Sequence, residues 1–103
     1  MSGFNGAPRR FRVDRLTAVI TKTEQLFQEA EETGRGSEFA SALRQIVATL
    51  RNRAREAGEL MWVLPNAKME VRIIVQRPAS VRFAVHQSAM EVVILDIVLM
   101  GPN

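Results

Sequence analysis

The chain has 103 residues, 47% hydrophobic and 24% charged, which suits one small domain with its own apolar core. It has no cysteine and one histidine, so disulfides, thiolate chemistry and cysteine-held metals or clusters are excluded, and neither a metal site nor a cofactor is expected. The net charge of +3 is local: Arg9, Arg10, Arg12 and Arg15 oppose only Asp14 within residues 1–15, and the rest of the chain is balanced.

Residues 1–10 hold Gly3, Gly6 and Pro8 and little that could pack, so they read as a flexible leader before a single domain spanning 11–103. The leader has no apolar signal region, and no apolar run in the chain is long enough to span a membrane; a cytoplasmic protein is the expectation. From Phe11 to Leu16 apolar and polar residues alternate, the period of a half-buried strand. The period then lengthens. Leu16, Val19, Ile20, Thr23, Leu26 or Phe27, and Ala30 recur at helical spacing until Gly34 and Gly36 end the run. Ser37 is the expected N-cap of a second helix, whose apolar stripe is Phe39, Leu43, Ile46, Val47, Leu50 and Ala54, and Gly58 stops it. Leu60–Leu64 is either a short strand or an apolar lid, and Pro65-Asn66 marks a turn.

Three extended segments follow, Met69–Arg77, Ser80–Gln87 and Glu91–Met100. In the first, Met69, Val71, Ile73 and Val75 share one face while Glu70, Arg72, Ile74 and Gln76 share the other. The last segment is apolar on both faces apart from Asp96, as an interior strand would be. The expected fold is α+β in the order β-α-α-β-β-β, a small curved antiparallel sheet with two helices packed on one face.

Few polar residues on these strands could carry chemistry. Metal-free RNA cleavage needs a proton handler and cations for the phosphate, roles open to His86 and to Arg72 and Arg82. Whether they share a face depends on register: a two-residue loop at Pro78-Ala79 sets Arg72 opposite Val85, a three-residue loop opposite His86. The bland alternative is a solvated sheet face. Asp96 needs a partner if buried, and a three-residue turn at Ser88–Met90 would set Arg82 directly opposite; this reads as an internal or interface pair more than as a catalytic acid. Arg9, Arg10, Arg12, Arg51 and Arg55 could pair with nucleic-acid phosphates, or form a solubilising tail and a charge-guarded edge. Trp62, within Leu60–Leu64, is either core or the apolar anchor of an interface.

The element order, with Val81-Arg-Phe-Ala-Val-His-Gln87 followed by Val92-Val-Ile-Leu-Asp-Ile-Val98, resembles the RelE/ParE superfamily of bacterial toxins. That resemblance implies a toxin or toxin-derived protein of a toxin-antitoxin system, either RNA-directed through ribosome-dependent mRNA cleavage or an inhibitor of DNA gyrase. It implies an antitoxin protein and RNA or the ribosome as partners, with Arg82 matching the arginine that nuclease members carry on the sheet. The segment Val98–Asn103 is uncharged and the chain has no tyrosine, whereas nuclease members usually carry a basic, often tyrosine-bearing segment there. The residues therefore also support a non-enzymatic interaction or homodimerisation module of the same fold.

Overall fold

The computed structural model describes residues 10–86 and 88–101. Strand β1 (Arg12–Arg15) leads into helix α1 (Thr17–Glu32) and helix α2 (Gly36–Arg53). Strand β2 (Glu59–Leu64) follows, then a 3-10 turn over Pro65–Ala67, and strands β3 (Met69–Gln76), β4 (Ala79–His86) and β5 (Glu91–Leu99). The five strands form one sheet in the order β1-β5-β4-β3-β2. The result is an α+β fold with a small curved sheet and both helices on one face.

Two details differ from the sequence-based expectation. Of the two alternatives for Leu60–Leu64 the strand holds, within β2, so the order gains one strand and is β-α-α-β-β-β-β. The sheet is also mixed: β2, β3, β4 and β5 run antiparallel to their neighbours, whereas β1 lies parallel to β5. The last strand thus lies beside the first, and nothing local to either sequence encodes that meeting.

The core lies between the helices and one side of the sheet. Phe39, Ile46 and Leu50 of the expected α2 stripe, with Ala54 just past the helix and Ala42 beside them, are buried against Val81, Phe83, Val85, Val92, Ile94 and Ile97, while Leu43 and Val47 stay half-buried. Phe39, Leu50 and Phe83 are fully buried, each worth about 1.5–3 kcal/mol of transfer free energy. Phe27 meets Phe39 edge to face at 6.4 Å, which joins the two helices. The stripe of α1 is narrower than its spacing suggests. Val19 and Ala30 are buried, but Leu16 and Ile20 stay exposed, because α1 rests on the β5 side of the sheet and touches the core along one line.

The helix boundaries show where local rules yield. Gly34 adopts φ +74°, and the Arg35 N–H returns to the Ala30 carbonyl at 2.7 Å, closing α1. Ser37 is not the N-cap. Helix α2 starts at Gly36 after Arg35, whose carbonyl accepts the Phe39 N–H at 2.9 Å. The Arg35 side chain turns instead to the Met100 carbonyl at 2.7 Å, fastening the inter-helix turn to the chain beyond β5. Among the described residues no helix is long and apolar enough to cross a membrane.

Candidate functional site

Register decides which polar groups meet. β3 and β4 pair with Gln76 opposite Ala79, so the hairpin turns at Arg77-Pro78, a cis peptide bond, one residue earlier than the sequence suggests. Arg72 is consequently opposite Phe83, on the helix-packed face. Arg82 and His86 alternate with Val81, Phe83 and Val85, so they lie on the other, open face. The trio of Arg72, Arg82 and His86 is divided between the two sides of the sheet.

Arg72 and His86 are also held by hydrogen bonds. The Arg72 Nε donates to the Ala57 carbonyl at 2.8 Å, one terminal nitrogen reaches Glu70 Oε1 at 3.1 Å and the other the Gly58 carbonyl at 3.4 Å. With its side chain only 13% exposed, Arg72 is a clamp on the turn between α2 and β2. His86 Nδ1 accepts the backbone N–H groups of Ser88 and Ala89, at 3.2 and 3.1 Å, so that lone pair caps the β4–β5 turn. Arg82 stands 3.9 Å from Asp96, close enough for attraction and too far for a hydrogen bond.

Asp96 sits opposite Arg82 by a route that the sequence does not reveal. Near the turn the register pairs Val85 with Val92, which alone would set Leu95 against Arg82; a bulge after Ile94 moves Asp96 into that place. The strong partner of Asp96 is a residue that sequence reasoning missed. Lys22 of α1 donates to Oδ1 at 2.7 Å from 74 positions away, and the Ile97 N–H reaches the same oxygen at 2.9 Å. β1 covers β5 only as far as Ile94, so the outer edge at Asp96 is open to a side chain from α1. The Lys22 hydrogen bond is the main cause holding the Asp96 carboxyl below its usual range; partial burial opposes it, and the Ile97 N–H and the charges of Lys22 and Arg82 add to it.

The basic residues are gathered in part. Arg9 lies outside the described residues. Arg12 pairs with Asp14 at 3.1 Å within β1. The Phe11 N–H donates to the Arg51 carbonyl at 2.7 Å, which brings exposed Arg10 near the end of α2, where Arg55 is also exposed. Arg51 lines a shallow groove of about 470 Å³ with Leu43, Arg44, Val47 and Ala48. A smaller groove beside it joins Arg51 to Arg15. Arg44 is an addition that the sequence did not single out, and Arg15 stands out in it only as part of the N-terminal charge cluster. Among the described residues no three of His, Asp and Glu come together as a metal site would require.

The dominant surface feature is apolar. Trp62 pairs with Val71, and Leu64 with Met69, so the open face near β2 presents Trp62, Leu64, Met69, Val71 and Ile73 together. Val71 and Ala84 are buried there although they lie outside the helix-side core. Trp62 is 45% exposed and is therefore a surface residue, and Leu60, Met61, Val63 and Leu64 are 41–50% exposed beside it. No family model, curated protein or solved structure matches this chain.

Proposed function

We propose that this chain is a non-enzymatic, cytoplasmic protein-interaction module, with β2 and the adjoining open face of β3 as its binding surface. One observation carries the reading: five consecutive large apolar residues, Leu60–Leu64, lie exposed on an edge strand of the sheet. The dispersal of Arg72, Arg82 and His86 supports it, because cleavage would need base and cations converging on one phosphate. Trp62 is the anchor, a residue type enriched at interface centres.

The second reading keeps the toxin-like role, RNA-directed and neutralised by an antitoxin. It is favoured by Arg82 and His86 sharing the open face four residues apart on β4, with Arg10, Arg15, Arg44 and Arg51 as a separate basic surface. Expression in a bacterial host, together with an RNA-cleavage assay on the purified chain, separates the two. The interaction reading expects normal growth, intact RNA, and an association weakened by Trp62→Glu but not by Arg82→Ala. Growth arrest or cleavage that Arg82→Ala abolishes and Trp62→Glu leaves intact would overturn it.

A further inference from the structure

The two ends of the sheet are guarded differently. β1 closes one end with four residues, of which Arg12, Asp14 and Arg15 are charged, a common way of blunting an edge. β2 closes the other with six residues of which only Glu59 is charged, and it holds neither lysine nor proline. Among the described residues no strand lies beyond it, so the backbone N–H and C=O groups on its outer side are a template for one more strand.

Resting on the interaction reading above, we infer that β2 pairs antiparallel with β2 of a second copy of this chain, about a two-fold axis at Val63, joining two sheets edge to edge. A symmetric contact must be compatible with itself, and this strand is. The axis sets Trp62 against Leu64 of the second copy. Both belong to the open face, since their partners on β3 are Val71 and Met69. Val63 meets its own counterpart on the other face. No like charges meet: Glu59, the one charged residue of the strand, lies four positions from the axis and so at the opposite end from its own counterpart. The bulge between Leu60 and Trp62 limits new ladder bonds to Trp62–Leu64, with Leu60 and Met61 as flanking apolar cover.

The area suffices. Leu60–Leu64 are each 41–50% exposed. At about 100 Å² for a half-exposed large side chain they offer on the order of 500 Å² per copy, so a pair would bury at most roughly 1,000 Å², the range of small, reversible interfaces. An association of that size is expected to be reversible by dilution.

The chain lends itself to the test, since it has one tryptophan and no cysteine. Sedimentation of the full chain over a dilution series is expected to show dimer giving way to monomer, with Trp62 emission shifting to the red as the dimer parts. Val63→Lys sets two ammonium groups face to face at the axis and is expected to weaken the dimer at least about tenfold, with an unchanged circular dichroism spectrum. A Val63→Cys variant is expected to oxidise to a covalent dimer, whereas Gln45→Cys, exposed on α2, forms no covalent dimer under the same treatment. Monomer at every concentration overturns the self-pairing and leaves the interaction reading to the growth and cleavage comparison. A dimer indifferent to both Val63→Lys and Trp62→Glu overturns the two together, because association would then use another surface.

Discussion

Gly58 shows how much one backbone position can carry. It adopts φ +63°, where a side chain is strained, and a Cβ there would collide with the Ile73 carbonyl group of β3. Its own carbonyl faces Arg72, so the same residue lets the chain turn out of α2 and gives the Arg72 clamp one of its acceptors. Gly58→Ala is expected to cost about 2–5 kcal/mol, from the left-handed backbone and the forced displacement of β3. Urea unfolding of the two proteins measures it, and a loss within error of zero would mean that the turn relaxes freely. Arg72 is legible in the sequence only as a cation on a strand. Its engagement by Ala57, Gly58 and Glu70 turns an apparent phosphate ligand into a structural tie.

Between elements, the contact of α1 with β5 is polar at one point. Asp96 is held below its usual carboxyl range by the Lys22 hydrogen bond, so its folded pKa is lower than its unfolded one. That difference stabilises the fold above the unfolded value, near pH 4, and is lost as pH falls through the folded value. Both side chains are partly exposed, at 41% and 32%, so the pair is worth roughly 1 kcal/mol or less. Asp96→Asn is expected to lower stability by that amount at neutral pH and to converge with the unmodified protein in acid. Thermal unfolding followed down through pH 4 checks the convergence; a constant offset at every pH would show that Asp96 acts through packing and not through charge. The β3–β4 hairpin makes the same point about register. Turning at Arg77-Pro78 moves the pairing by two residues, which leaves every face unchanged, so the alternation read from the sequence holds while the opposed residues differ.

Across the molecule, protection should follow position in the sheet. β4 lies between β3 and β5 with Val81, Phe83 and Val85 buried, whereas β2 has one neighbour and no buried side chain. At concentrations where the chain is monomeric, amide hydrogen exchange is expected to be slowest in β4 and fastest among the strands in β2. Equal protection of the two under those conditions would contradict the arrangement. The core of the α2 stripe, the alternation along β3 and β4 and the stop at Gly34 were legible in the sequence, because each depends on local periods and turn chemistry, whereas α2 ends at Arg53, five residues before the expected stop at Gly58. That periodicity also placed Asp96 as an anomaly and Leu60–Leu64 as a surplus of apolar residues. The partner of Asp96, the face on which Arg72 lies, the parallel seating of β1 and the exposure of Trp62 were decided only by the tertiary structure. Each depends on a bulge, a loop length or the meeting of elements distant in the chain, and a local pattern of hydrophobicity holds no record of those distances.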